Sequence, residues 1–301
     1  MKKLLTILTC STILLFACSK EDDPVVSETP TTTVPSGPNL IFKIHLDSTL
    51  ARLDNFGNPV NVPVGNASQS PRFNKISAHY IEFAPTANTA LGNGYVAYLG
   101  AETTMGGSNA TDFNKAITIS NGDTFYSIPL STVAAGTYEW LRVSVTYQNY
   151  DIDFKASGFM LSGTLASFVG FNTYITNYNI NTQNIIVNGN KLQGYWGFET
   201  SVLGTSYVYE GQAPATTVPN PLAATSPIPA GSCVVTGSFP TALTLTGNET
   251  EDIIVNINLS TNNSFEWKDL NGDGVFEPSD GTNPGDTVVD MGLRGLFPTF
   301  Q

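Results

Sequence analysis

The densest chemistry in the chain stands near its C-terminus. There Asp269-Leu270-Asn271-Gly272-Asp273-Gly274-Val275-Phe276-Glu277-Pro278-Ser279-Asp280 crowds carboxylates and amides into one short, glycine-bearing segment. With Asp269 counted as position 1, side-chain oxygens fall at positions 1, 3, 5, 9 and 12, glycine stands at 6, and the carbonyl of Val275 follows at 7. Alternate residues of a tight loop point inward, and Ca²⁺ takes six to eight hard oxygens at about 2.3–2.6 Å. The spacing therefore predicts a calcium loop with Asp269, Asn271, Asp273, Val275, Glu277 and Asp280 as ligands. Gly274 permits the sharp turn. The competing reading is an acidic surface turn, because Asn-Gly and Asp-Gly turn the chain with or without an ion. Against it, carboxylates this close repel one another unless a cation intervenes. Asp286 and Asp290 lie just beyond and are further candidate ligands.

This segment resembles the calcium loops of EF-hands and dockerins. It departs from them at Asp280, where EF-hands carry Glu, and at Phe276, where an aliphatic residue is usual. Pro278 and Gly281 disfavour an exiting helix, and Ser264-Phe265-Glu266-Trp267 reads as an entering strand. The resemblance implies an isolated structural calcium loop, not a paired sensor.

Other reactive constellations are sparse. The chain has two histidines, His45 and His79, and no Gly-x-Ser-x-Gly elbow, phosphate-binding Gly-Lys-Ser/Thr loop or His-Glu-x-x-His helix. Gly92-Asn93-Gly94 feeds a strand and is read as a turn. A glycosidase needs two facing carboxylates; Glu82, Glu139, Asp151 and Asp153 are candidates that nothing in the sequence pairs. Between Lys155 and Glu249 the carboxylates thin to Glu199 and Glu210. Phe168, Phe171, Tyr174, Tyr178, Tyr195, Trp196, Phe198, Tyr207 and Tyr209 gather there with Asn172, Asn177, Asn179, Asn181, Asn184, Asn188 and Asn190. Aromatic faces beside amides suit a neutral glycan, though the same residues also serve as strand core and turn formers.

The N-terminus carries an address. Met1-Lys2-Lys3, an apolar run from Leu4 to Phe16 and Ala17-Cys18 are the parts of a secretory signal. Leu15-Phe16-Ala17-Cys18 resembles the lipobox of bacterial lipoproteins, and Ser19-Lys20-Glu21-Asp22-Asp23 resembles the acidic export tag of Bacteroidota surface lipoproteins. The resemblance implies a lipid-modified Cys18 in the outer membrane, facing the cell exterior. Residues 24–38, rich in Thr and Pro, read as a tether. Once Cys10 leaves with the signal and Cys18 takes lipid, only Cys233 remains, so no internal disulfide forms. Cys233 precedes Val234-Val235 and reads as a small buried apolar residue.

Stepping along the chain, the elements that must position these groups have period two. Leu40, Phe42, Ile44 and Leu46 alternate with Ile41, Lys43, His45 and Asp47; Leu141–Gln148 and Ile253–Ser260 alternate likewise. Further β-branched or aromatic runs lie at 76–83, 124–128, 174–180, 195–199 and 234–239, with Gly, Asn, Pro and Ser between them. The fold class is all-β, with antiparallel, sandwich-like domains. The expected organisation is a signal peptide at 1–17, lipidated Cys18 and tether to 38, and two β-domains over 39–160 and 161–301. A single large sandwich is the alternative.

The chain is 41% hydrophobic but only 13% charged, against about 25% in ordinary soluble domains. Its net charge of −12 repels phosphate, so no nucleic-acid partner is expected. Ser70–Phe83 and Gly136-Thr137-Tyr138 are faintly similar to MbnP-like lipoproteins, a metal-handling β family; none of that family's ligands is matched residue by residue. The similarity implies copper if His45 and His79 meet across strands; ordinary strand histidines are the plainer reading. The sequence thus points to a non-catalytic surface lipoprotein with a structural calcium loop that binds a glycan or another surface ligand. A surface glycan hydrolase or its accessory protein is the alternative, and a copper-handling lipoprotein the second.

Overall fold

A computed structural model describes residues 37–54, 57–213, 231–279 and 284–301. Cys18, the signal peptide, most of the tether and the loop residue Asp280 lie outside them. The strands, in chain order, are β1 (Asn39–Asp47), β2 (Asn66–Gln69), β3 (Arg72–Ala84), β4 (Tyr95–Leu99), β5 (Glu102–Thr103) and β6 (Ala110–Asp112). There follow β7 (Thr124–Pro129), β8 (Gly136–Ala156), β9 (Phe159–Phe168), β10 (Asn172–Asn179), β11 (Asn184–Leu192) and β12 (Tyr195–Val202). The last are β13 (Thr205–Gln212), β14 (Cys233–Leu245), β15 (Ile253–Ser260), β16 (Phe265–Lys268), β17 (Thr287–Asp290) and β18 (Leu296–Phe300). Among the described residues the only helices are single 3₁₀ turns at Phe113–Lys115 and Leu130–Thr132. The chain is all-β, and every run expected from alternation is a strand.

One long sheet organises the rest, in the order β13-β12-β9-β8-β3-β4, with β14 also pairing with β8. Against its β8-β3-β4 side and β14 packs the sheet β18-β15-β1-β7. Leu40, Phe42 and Ile44 of β1 and Val255, Ile257 and Leu259 of β15 are fully buried there, with Ile81, Phe83, Leu141 and Val143 from the facing sheet. The Phe42 and Phe83 rings meet across the two layers at 5.8 Å. This is a β-sandwich in which the alternation does what period two requires. Most pairs are antiparallel; β1 with β15 and β10 with β6 run parallel.

Around the C-terminal half of β8 and its neighbour β9 the long sheet carries a layer on each face. One face carries the small sheet β11-β10-β6-β5, closing a core around Tyr147, Phe168, Ile175, Tyr178 and Tyr195. The other carries β17-β16-β2, closing a core around Tyr150, Ile152, Phe154, Phe265 and Trp267. Two bulges make this possible. Ala78 pairs with Val145 but Tyr80 with Ser144, so His79 is extra on β3; Ser77 pairs with Tyr147, so Thr146 is extra on β8. An extra residue reverses which parity faces which way. Odd residues Leu141, Val143 and Val145 serve the first core, and even residues Tyr150, Ile152 and Phe154 serve the last.

Alternation over 141–148 predicts a half-buried strand, yet Arg142, Ser144, Thr146 and Gln148 are buried as well. Of their polar side chains, Arg142 and Gln148 find partners, whereas the Thr146 hydroxyl has none among the described residues. Arg142 lies 3.5 Å from the fully buried Glu82 and donates to the carbonyl of Thr89, and Gln148 donates to the carbonyl of Met291. Glu82 in turn accepts the N–H groups of Gly92 at 3.0 Å and Gly94 at 2.6 Å, which pins the β3–β4 loop.

The boundary expected between residues 160 and 161 falls inside β9, just after the tight turn joining β8 to β9. Those strands pair continuously from Tyr147↔Phe168 to Ala156↔Phe159. Ser157 (φ 49°) and Gly158 (φ 80°) take the left-handed conformations that such a turn demands. Gly37–Gln301 form one compact unit.

Candidate functional site

Among the described residues nothing covers the face of β9, β12 and β13 that lies beyond β17, and a cavity of about 1280 Å³ opens over it. Cross-strand register sets its floor. Trp196 pairs with Ser167 and Gly211, Phe198 with Leu165 and Tyr209, and Thr200 with Gly163 and Tyr207. Ile152 and Phe154 of β8 extend this floor, and Val288, Met291, Phe276 and Pro278 form the opposite wall. Two glycines let the rings lie close to the sheet. A Cβ on Gly163 would fall 2.2 Å from the Phe198 ring, and one on Gly211 would fall 2.3 Å from Trp196 Cζ2. Trp196 and Phe198 are half-buried, while Tyr207 and Tyr209 stand 45% and 56% exposed.

The aromatics and amides that the sequence groups together part company here. Phe168, Tyr178 and Tyr195 close the core on the far face, and Phe171 packs on His79 at 5.8 Å. Asn184 bonds Asn177 and Asn179, while Asn172 and Asn190 bond Ser108. None of these amides lines the cavity. Period two explains the split, since neighbouring aromatics on β12 must point to opposite faces.

The mid-chain carboxylates are structural. Glu199 accepts N–H groups from Asn181, Thr182 and Gln183, which holds the β10–β11 turn. Burial raises its pKa, but these hydrogen bonds outweigh that and hold the carboxyl below its usual range. Glu210 accepts the Tyr195 hydroxyl. Of the hydrolase candidates, Glu82 is sealed beneath Gly92 and Gly94 and Glu139 is exposed, while Asp151 and Asp153 are two apart on β8, the first bonded to Asn74 and Thr164 and the second paired with Arg72 at 2.8 Å. The carboxylates that do line the cavity are each ion-paired, Glu277 with Lys155 at 2.5 Å and Asp290 with Arg294 at 2.8 Å.

The loop after β16 has Asp269, Asn271, Asp273, Val275 and Glu277 in the expected sequence of turns. Asp269 accepts from the N–H of Gly272 at 2.8 Å and of Gly274 at 2.9 Å, Asn271 from Asp273, and Asp273 from Val275. Gly272 and Gly274 both have φ of 74°, which only glycine adopts freely. Asp286, a further candidate ligand, clasps the loop. Its two oxygens accept the N–H groups of Leu270 and Glu277, and its own N–H returns to the Glu277 carbonyl. Asp290 belongs to the Arg294 pair. Lys155, which sequence reasoning missed, sets its ammonium 2.5 Å from Glu277 and 3.6 Å from Asp273.

The hard-oxygen donors suit calcium in kind, but the convergence is incomplete. Among the described residues no three His, Cys, Asp or Glu side chains gather so as to hold a metal. Glu277 is already shared by Lys155 and the Asn271 amide. The fit is thus strongest at Asp269, Asn271 and Asp273.

His45 and His79 have separate partners. His45 Nε2 lies 3.1 Å from Asn256 Oδ1, and the buried His79 lies 3.1 Å from Glu102 Oε1. Burial pushes the His79 imidazole below its usual range, against the opposing pull of Glu102. Cys233, expected to be buried, is only half-buried because it lines the cavity, where desolvation, reinforced by the charge of Asp290, pushes its thiol up to about 12. No family model, curated protein or solved structure matches the chain.

Proposed function

We propose that this chain is a non-catalytic, lipid-anchored surface binding protein whose ligand lies in the groove over β9, β12 and β13. The observation that carries the reading is the row Trp196, Phe198, Tyr209 and Tyr207, which lines an open cavity of about 1280 Å³, with Trp196 and Phe198 resting on the core around Phe154 and Trp267 and only partly buried by it. Large apolar concavities of this kind are the usual seats of ligands.

The anchor is supported by Leu15-Phe16-Ala17-Cys18 and the acidic residues that follow. The folded body begins beside Pro129, with which Asn39 pairs, close to the start of β8. The groove lies along the other end of β8, at Ile152–Ala156. A ligand from outside the cell would therefore meet the end of the body remote from its tether. The loop Asp269–Asp280 is taken as a structural calcium loop, which would fix the wall residue Phe276. The ion would supply charge neutralisation there, and Asp269, Asn271 and Asp273 would hold it.

The test is a panel of neutral oligosaccharides and apolar ligands on the purified chain, with product analysis beside each binding measurement. Saturable binding without turnover is expected. Release of cleaved product, or no binding from either half of the panel, overturns the reading.

A further inference from the structure

Several of the groove's polar side chains are bonded within the protein already, although the buried Ser167 hydroxyl has no partner among the described residues. Thr200 Oγ1 donates to the Ser162 carbonyl at 2.8 Å, and Gln193 Nε2 to the Val169 carbonyl at 3.0 Å. The charged residues in the lining form ion pairs, Lys155 with Glu277 and Asp290 with Arg294. A sugar brings hydroxyl groups that must regain in the site the hydrogen bonds they leave in water. This lining offers them the hydroxyls of Ser167, Tyr207 and Tyr209, and over the rest of its length presents Ile152, Leu161, Leu165, Phe198, Val288 and Met291.

Its length is a second constraint. The lining follows β9 from Leu161 through Leu165 to Val169, about 26 Å at roughly 3.3 Å per residue. The hydrocarbon core of a bilayer is about 30 Å thick, so one extended lipid chain spans about 15 Å and fits within that length. At the Ser157–Gly158 end the apolar surface continues outward. Phe159 and Met160, at the tip of the β8–β9 hairpin, are 70% and 59% exposed, and Leu203, at the tip of the β12–β13 hairpin, is fully exposed. Continuing the β9–β12 register from Thr200↔Gly163 brings these two tips to the same end of the sheet. A contiguous exposed apolar surface marks a place of interaction.

We propose that the groove holds the acyl chain of a free long-chain fatty acid, laid along β9 with its carboxylate left in water. This rests on the groove being the ligand site and names the ligand's class. A mostly hydrocarbon-lined channel whose charged residues are already ion-paired favours such a chain over both a glycan and a charged peptide. Each methylene that enters adds apolar burial, so affinity should climb with chain length until the channel is full.

The test titrates the purified full chain with saturated fatty acids of increasing length, read by displacement of a fluorescent fatty-acid probe. Affinity is expected to rise at least about fourfold for each added pair of methylenes, and then to level off. Tyr209→Glu alters a more than half-exposed position and should weaken binding about tenfold or more while the circular dichroism spectrum is unchanged. Trp196→Ala should weaken it similarly if it folds. Affinity independent of chain length, or Tyr209→Glu binding as the parent does, overturns the proposal. Binding of a neutral oligosaccharide alone overturns it too, yet leaves the binding-protein reading standing. Binding of neither class removes both.

Discussion

Trp196 lies over Gly211, its cross-strand partner, so closely that a Cβ on that glycine would fall 2.3 Å from Cζ2 and 2.6 Å from Cε2 of the indole. The missing side chain is what lets the indole settle onto the sheet at the floor of the groove. Gly211→Ala should lift the ring, cost about 1–3 kcal/mol by overpacking, and weaken ligand binding. Tryptophan emission, a urea melt and a binding titration on the variant would each register the change.

Glu266 is buried between two guanidinium groups. One of its oxygens accepts from both Arg52 and Arg294, the latter at 2.9 Å, and the other accepts from Asn66. Removing one member of a buried charge network leaves the others uncompensated, at a cost of about 3–5 kcal/mol. Glu266→Gln should lower the unfolding free energy by that amount in urea. A loss under about 1 kcal/mol would show that the network contributes little.

His79 gives a pH dependence with a definite sign. Burial lowers its folded pKa, whereas the unfolded histidine takes up its proton near about pH 6.5. The unfolded state then binds more protons just below that pH, so this contribution is present above about pH 6.5 and lost as pH falls. The melting temperature should drop more steeply between pH 6.5 and 5 in the parent than in His79→Gln. Equal slopes would remove His79 from the account.

Calcium should stabilise the fold if the loop after β16 holds it. For an extracellular-type site with Kd near about 10⁻⁴ M, raising calcium to the millimolar range adds about 1–2 kcal/mol. In a chain of this size that is a rise of a few degrees in melting temperature. Chelation should reverse it, and Asp269→Ala should abolish the response. A parent trace unchanged by chelator would sink the calcium assignment.

Cys233 should behave as an inert thiol. With its pKa pushed up to about 12 by burial, almost none is thiolate at pH 7. Reaction with an aromatic disulfide reagent should be orders of magnitude slower in the folded chain than after denaturation, a difference measurable by absorbance.

Local patterning carried much of this protein. Alternation over Leu40–Asp47 and Ile253–Ser260 is enough to place strands with one apolar face, because a pleated strand must send successive side chains to opposite sides. The turn chemistry of Asp269–Gly274 was legible for a similar reason: Asx side chains bond backbone only two to five residues away. What joins which strand was not legible. The compensating bulges at His79 and Thr146 exchange the buried parity of β8, and nothing local to either residue announces the other. The same holds for Lys155 beside Glu277 and for the parallel pairing of β1 with β15, whose partners are far apart in sequence. Composition showed an aromatic, amide-rich middle, but only the paired strands decided that Trp196 and Phe198 floor a groove while Tyr195 and Phe168 close a core. The sequence alone determined the elements and their local turns, which follow from short-range sterics and hydrogen bonding. The tertiary structure decided which faces are covered and which lie open, because that depends on register and on contacts between distant strands.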